Sequence, residues 1–468
     1  MKKYISLFLV LVTVLSAKAQ DTTTYKTVLE KITTGFNSGD YTGIYNLLSA
    51  EFKAQVPQQS FTGFLGSQAA LGKITATDYI ESKDGFRVYK TTFENGVMSL
   101  LLACNDKAEI SGLALRPYVA KAMRTTPVAT DNKKTTPLDK EVDKAVTEFF
   151  DDLNNVGAVV AVVKDGATFY YHYGETKKNS GTMPANTTIF EIGSISKTFT
   201  GILLAQAVLD KKLSLDDDIR KYLPAECKGL ELDGKPVLIK HLANHTSGLP
   251  RLTDDYTTTA DYNEQDPYKH YTAAMYYNYL ARVKLESVPG TKQEYSNTGV
   301  AVLGIILEKI YGKSYEQLLA TYITNPLKMN STFVTVPAKH ETNFASGYAD
   351  GDEAPHWNLA QTSAAGGIRS NITDMVLYLK ANMAEATPAM ALSHKETFND
   401  GSDAIGLGWF LYPVKGDSLI WHNGGTGGFT SYTGYLKDKK VGVVVLTNSS
   451  SQGGPDRIGT AILRHLQQ

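Results

Sequence analysis

Apolar positions change their period from block to block along this chain. Residues 24–73 repeat at helical spacing with breaks, Val28, Leu29, Ile32 and Phe36 being followed by Ile44, Leu47, Leu48 and Phe52. Residues 75–118 instead alternate as strands, separated by Lys83-Asp84-Gly85 and Glu94-Asn95-Gly96 turns. This order predicts a small α+β unit, helices first and a curled antiparallel sheet after. Arg124 to Pro137 then carries almost no large apolar residue and reads as a linker.

Beyond the linker, Leu138 to Leu153 is patterned as an amphipathic helix, and Ala158 to Val163, Lys164-Asp165-Gly166 and Thr168 to His172 form a hairpin with a tight Asp-Gly turn. Near the other end, Ser418 to Trp421, Phe429 to Leu436 and Val441 to Leu446 alternate or run apolar as strands, and Arg457 to Leu466 closes as a helix. Strands at both ends with helices between and outside them predict one antiparallel sheet closed by the two ends of the chain, with a helical insert from about 190 to 400.

The first residues form a separate pattern. Lys2-Lys3, the apolar run Tyr4 to Ala17 and the small-residue step Ala17-Lys18-Ala19 have the three regions of a secretory signal peptide, with cleavage after Ala19. The run is shorter than the ~20 residues that span a bilayer, so no stable membrane insertion is expected after cleavage. The expected organisation is a signal at 1–19, a small α+β accessory domain at 20–123, a linker at 124–137 and a larger domain at 138–468, exported to the periplasm or secreted. The 468 residues carry 47 basic against 48 acidic side chains, a balance that lacks the basic field of a nucleic-acid or anionic-membrane binder. Loss of Lys2, Lys3 and Lys18 with the signal would leave a mildly acidic chain. Cys104 and Cys227 fall in different expected domains, which argues against a disulfide framework. His241 and His245 have helical i, i+4 spacing but no glutamate between them and no third ligand, and read as packing or capping groups rather than a metal site.

Candidate chemistry concentrates in three places. In Phe190-Glu-Ile-Gly-Ser-Ile-Ser-Lys, Gly193 permits a sharp turn and Phe199, Ile202, Leu203, Ala205 and Val208 predict a buried helix after it. Ser194 then lies at a helix N-terminus, where free N–H groups favour developing negative charge, and Lys197 shares its face. A serine needs a base, and a lysine desolvated by a buried helix can become one. Two tyrosine-x-asparagine segments could complete a proton relay. Tyr276-Tyr277-Asn278 sits inside a continuous helical pattern, whereas Tyr295-Ser296-Asn297 follows the Pro289-Gly290 break and precedes a helix from Val300, so Tyr295 and Asn297 are chosen. Last, Trp421-His422-Asn423-Gly424-Gly425-Thr426-Gly427-Gly428-Phe429 links two strands through glycines that let a substrate backbone approach. His422 is expected to point at the pocket, and the Gly425 N–H to pair with that of Ser194 as an oxyanion hole.

Taken together, Ser-x-x-Lys at 194–197, Tyr-x-Asn at 295–297 and His-x-Gly at 422–424 resemble the penicillin-recognising serine hydrolases, in particular the class C β-lactamase-like branch with its D-Ala-D-Ala carboxypeptidases, D-aminopeptidases and esterases. His245-Thr-Ser-Gly-Leu-Pro250, Ala365-Gly-Gly-Ile-Arg-Ser370 and Gly406-Leu-Gly-Trp409 are further family-like phrases, and the resemblance covers about 138–468. It implies the β-lactamase/transpeptidase-like α+β fold, an acyl-enzyme on Ser194, Lys197 and Tyr295 sharing the serine proton, and Asn297 holding Lys197 and the substrate amide. No cofactor is implied. The N-terminal pattern resembles the cone-shaped nuclear-transport-factor-like domains.

The chain departs from class C β-lactamases where their lysine is His422 and their threonine is Asn423. A histidine of ordinary pKa is mostly neutral near pH 7, so β-lactam turnover is not favoured. Substrate contacts are expected from Asn297, Asn423, Gly424 and Thr426. The expected substrate is a small molecule or peptide, with cell-wall D-amino-acid peptides, amides or esters first. Carboxylic esters or β-lactams are the second reading, and a non-catalytic binding protein on the same scaffold is the third.

Overall fold

The computed structural model describes residues 22–83, 85–118, 124, 126–451 and 454–467. The expected signal peptide at 1–19 and Asp84 of the first expected turn lie outside these residues. The chain divides into two compact units, Met1–Lys121 and Ala122–Gln468.

In the first unit, α1 (Thr22–Ser38), α2 (Tyr41–Asn46), α3 (Ala50–Gln55) and α4 (Gln58–Ser67) precede β1 (Ile74–Lys83), β2 (Phe86–Phe93), β3 (Gly96–Cys104) and β4 (Ile110–Pro117). Short polar side chains set the helix starts: Asp40 Oδ1 accepts from the Gly43 N–H at 2.8 Å, and Ser49 Oγ from the Phe52 N–H at 3.2 Å. The strands pair consecutively and antiparallel, with register shifts in β1 that bend the sheet. Val28, Ile32, Phe36, Ile44, Leu48 and Phe52 of the helices bury against Tyr89, Leu100, Leu102 and Ile110 of the sheet. A cavity of about 720 Å³ between α1 and the β1–β2 ribbon is lined by Lys26, Glu30, Tyr79 and Arg87 among others, and holds no serine or histidine.

The second unit opens with α5 (Pro137–Phe150), β5 (Gly157–Lys164), β6 (Ala167–Gly174) and β7 (Ile189–Glu191), then α6 (Ser196–Leu209). Its main sheet runs in the order Phe398–Asn399, Ala404–Ile405, Phe410–Val414, Asp417–Gly425, Thr430–Leu436, Val441–Thr447, β5, β6, antiparallel throughout. The strand nearest the C-terminus therefore pairs with the first, as the pattern predicted. β5 is apolar along its length because both its faces are covered. Val159, Ala161 and Val163 face the helical body with α6, while Ala158, Val160 and Val162 face α5 and the closing helix Gly454–Gln467.

Three differences from the sequence reading have local causes. Residues 129–132 of the segment expected as a linker are laid along β6, where the Gly174 N–H donates to the Ala129 carbonyl at 2.9 Å. Thr130 bridges Tyr173, Asp131 Oδ2 meets His172 Nδ1 at 2.6 Å, and buried Asn132 donates to the Asp139 carbonyl at 2.8 Å. A reciprocal cap between Thr136 and Asp139, with Pro137 at the first helical position, starts α5. The strands at 398–399, 404–405 and 410–414 extend the sheet beyond the expected set, being too short to show a period. The strand expected at 418–421 continues through His422 to Gly425, so this motif lies on the sheet itself. Among the described residues no helix is long and apolar enough to cross a membrane.

Candidate active site

β7 ends at Glu191, and Ile192 donates its N–H to the Ile368 carbonyl at 3.1 Å. Gly193 follows with φ +50°, and a Cβ there would lie 2.5 Å from the Gly425 nitrogen, so only glycine fits. Ser194 sits in the short turn Gly193–Ile195 that leads into α6. Because α6 is buried on nearly every side, Lys197 is only 1% exposed. Its Nζ donates to Ser194 Oγ at 3.0 Å and to the Ala365 carbonyl at 2.6 Å. Burial, with the nearby Arg251 charge adding to it, holds the lysine well below its usual range and so favours the free amine. The phrase Ala365 to Ser370 thus supports the Ser194–Lys197 segment: besides Ala365, the Ile368 N–H donates to Ser196 Oγ at 3.1 Å, and Arg369 pairs with buried Glu191 at 3.2 Å. Burial raises the Glu191 carboxyl against the opposing pull of Arg369.

Tyr295 and Asn297 arrive on the start of the helix Asn297–Tyr311. Ser296 caps it, accepting from the Gly299 N–H at 2.9 Å and donating to the Pro250 carbonyl at 2.7 Å. The Tyr295 ring packs against His245 at 4.3 Å between centroids, with Lys197 Nζ 4.8 Å and the Arg251 guanidinium 5.1 Å from its centre. Its hydroxyl lies near Ser194, and burial pushes the phenol up to about 12. Tyr276, from the segment passed over in favour of Tyr295, is buried in the helix Ala273–Leu280 and bonds Thr362 at 2.8 Å. The expected hold of Asn297 on Lys197 is taken by Ala365. Asn297 lies near the Tyr268 hydroxyl instead, and its Oδ1 has no partner among the described residues. His241 and His245 serve separate local roles. The Leu238 N–H donates to His241 Nδ1 at 3.1 Å, and the Ser296 N–H to His245 Nδ1 at 3.2 Å.

The strand Asp417–Gly425 brings His422 to the same place, its ring 6.3 Å from that of Tyr295. His422 Nδ1 donates to the Asn423 carbonyl at 2.6 Å, which fixes the tautomer and leaves the Nε2 lone pair free. Burial pushes this histidine down to about 3. Gly424 leaves room for the Ile192 carbonyl, 2.0 Å from where its Cβ would be. That contact sets the Gly425 backbone against Gly193-Ser194. Asn423 corrects the sequence reading: strand alternation turns it to the opposite face, where Nδ2 donates to Asp456 of the closing helix at 2.8 Å. Thr426, also expected to touch substrate, is buried, its hydroxyl without a hydrogen-bond partner among the described residues, and Gly424 acts through clearance.

Ser194, Lys197, Tyr295, Asn297, His422 and the Gly425 backbone therefore meet in one pocket. A beta-lactamase family model matches residues 142–467. The chain belongs to the beta-lactamase family. A beta-lactamase of Escherichia coli (strain K12) is 29% identical over 368 residues, spanning 70% of this chain and 93% of that protein. A beta-lactamase of Pseudomonas fluorescens is 28% identical over 358 residues, spanning 67% and 94%. A solved structure described as a class C beta lactamase superposes with TM-score 0.63 at 28% identity, covering 72% of this chain and 99% of that one. This beta-lactamase-family chain is thus a class C-like serine hydrolase in fold and lineage. Sequence reasoning passed over Arg251, Tyr268 and Ala365 as site neighbours. Arg251 and Ala365 adjoin or begin phrases already noted, whereas Tyr268 lies in a polar stretch with no motif around it.

Proposed function

We propose that Ser194 is the nucleophile of an acyl-transfer hydrolase acting on D-amino-acid-containing peptides or related amides and esters. The observation that carries this reading is the 3.0 Å hydrogen bond between Ser194 Oγ and a lysine that burial drives toward its neutral form. Lys197 takes the serine proton as Oγ attacks the substrate carbonyl, and the Tyr295 phenol, held protonated by its raised pKa, donates to the departing nitrogen or oxygen. The N–H groups of Ser194 and Gly425 face the oxyanion, a contribution of roughly 3 kcal/mol per donor. Water then attacks the ester carbonyl, losing a proton to the same relay as Ser194 Oγ leaves. Asn297, with its free amide oxygen, is suited to accept a substrate N–H. The motif at residues 1–19 supports export of this enzyme.

β-Lactam hydrolysis is the second reading, favoured by the relatives named beta-lactamases. Neutral His422 in place of a lysine weighs against it. Intact-mass measurement during incubation with a D-Ala-D-Ala peptide, a short-chain 4-nitrophenyl ester and a cephalosporin ranks the substrates. We expect a transient adduct and turnover with the peptide, and no adduct on Ser194→Ala. Activity confined to the ester would sink the peptidase reading. A wild type that no acylating probe labels would support a binding protein instead.

A further inference from the structure

We propose that Arg251 is the cationic anchor for a carboxylate of the substrate, the role left open where the class C pattern has lysine and this chain has His422. The inference rests on the acyl-transfer reading above and adds a substrate class to it. Four observations lead to it.

First, the residue is built into the site. The Arg251 carbonyl accepts the N–H groups of Asn297 and Thr298 at 3.1 and 3.3 Å, and the neighbouring Pro250 carbonyl accepts Ser296 Oγ at 2.7 Å. The backbone of Arg251 is therefore pinned to the first turn of the helix that carries Asn297. Second, its guanidinium stands 5.1 Å from the centre of the Tyr295 ring, which also has Lys197 Nζ at 4.8 Å. Its charge reaches the nucleophile's surroundings, pulling down Lys197, His245, Tyr295 and Tyr268.

Third, Arg251 is exposed, and among the described residues it makes no ion pair. The neighbouring carboxylates are taken: Arg282 binds Asp254 at 2.6 Å and Asp255 at 2.8 Å. Arg220 and Arg369 are likewise matched with carboxylates. Fourth, burial drives the Lys197 amine and the His245 and His422 imidazoles toward their neutral forms, which leaves Arg251, over the Tyr295 ring, as a permanent positive charge beside the site. A guanidinium held over an aromatic face, with its remaining N–H groups free, suits bidentate capture of a carboxylate.

The test uses two matched substrate pairs on the full chain: a D-Ala-D-Ala peptide ending in carboxylate or amide, and a 4-nitrophenyl ester whose acyl chain ends in carboxylate or methyl. The readout is the ratio of acylation rates within each pair, which cancels any change in the nucleophile itself. Wild type should prefer the carboxylate in at least one pair by about tenfold or more. Arg251→Gln should bring that ratio close to one, and Arg251→Glu should invert it. Equal rates for both members of both pairs in wild type, or a preference that survives Arg251→Gln, overturns the anchor. Failure of every substrate to acylate Ser194 overturns the acyl-transfer reading, and the anchor falls with it.

Discussion

Gly424 and Gly425 are neighbours with opposite tolerance for a methyl group, and this offers a sharp test of the site's backbone geometry. A Cβ on Gly424 would lie 2.0 Å from the Ile192 carbonyl oxygen and 2.6 Å from Ser431 Oγ, whereas a Cβ on Gly425 meets nothing nearer than Thr430 Cγ2 at 3.9 Å. Cβ contacts under 3.0 Å do not occur in practice, so Gly424→Ala must separate the strand from the Ile192–Ser194 turn by about 1 Å or more. Displacement on that scale at a preorganised site costs about 10²-fold in rate. The shift falls on the two N–H groups assigned to the oxyanion, each worth roughly 10²–10³-fold. Gly424→Ala should therefore slow acylation of Ser194 by about 10²-fold, while Gly425→Ala should stay within about threefold of wild type. Stopped-flow acylation with a chromogenic ester, accompanied by a thermal melt to confirm folding, reads both. A folded Gly424→Ala that acylates at the wild-type rate, or a Gly425→Ala equally impaired, would refute the proposed approach of the two backbones.

Three further outcomes follow from the buried groups. Lys197 has its folded pKa well below the ordinary lysine value of 10.5, so the unfolded chain binds the extra proton and stability rises with pH in the window between the two values, by at most about 1.4 kcal/mol per pH unit. Lys197→Met should accordingly gain thermal stability over wild type, more at pH 6 than at pH 9, while losing acylation; a gain that grows with pH contradicts the assignment. His422, pushed down to about 3 from 6.5, should remain neutral across pH 5–8, and its ring carbon shifts in an NMR titration should stay flat there; a midpoint near 6.5 would place the imidazole in water. Asn423→Ala should cost about 1 kcal/mol of stability by leaving half-buried Asp456 without its partner, yet leave the ranking of substrates unchanged by kcat/KM; an altered ranking would return Asn423 to the pocket.

What could be read from the sequence was whatever depends on local spacing. Ser194 and Lys197 share a face because a helix repeats every 3.6 residues, and the apolar surroundings of Phe199 and Leu203 announced the burial that depresses the lysine. Tyr295 and Asn297 were legible from the break before a helix. The same logic of period had already decided Asn423: if His422 faces the pocket from a strand, its neighbour cannot, and the error came from treating the glycine-rich stretch as a connection between strands. Ala365 and Arg251 were out of reach for another reason. Ala365 lies 168 residues from Lys197, and neither carries a side-chain pattern that announces the contact; only the packing of separate elements brings them together. The ordered stretch around Asn132 was hidden because polar residues that satisfy one another along a strand look, in sequence, like polar residues in water.

The pairing of β5 with Val441–Thr447 also bears on when the site comes into being. Synthesis delivers Ser194 and Lys197 long before Gly425 and the strands that close the sheet, and domains generally fold as units once their parts are present. A nascent or proteolytically shortened chain ending before those strands would carry Ser194 and Lys197 without the Gly425 N–H. On the acyl-transfer reading, the site is thus kept unassembled until Val441–Thr447 has joined β5, and a clipped product should be inert rather than unregulated.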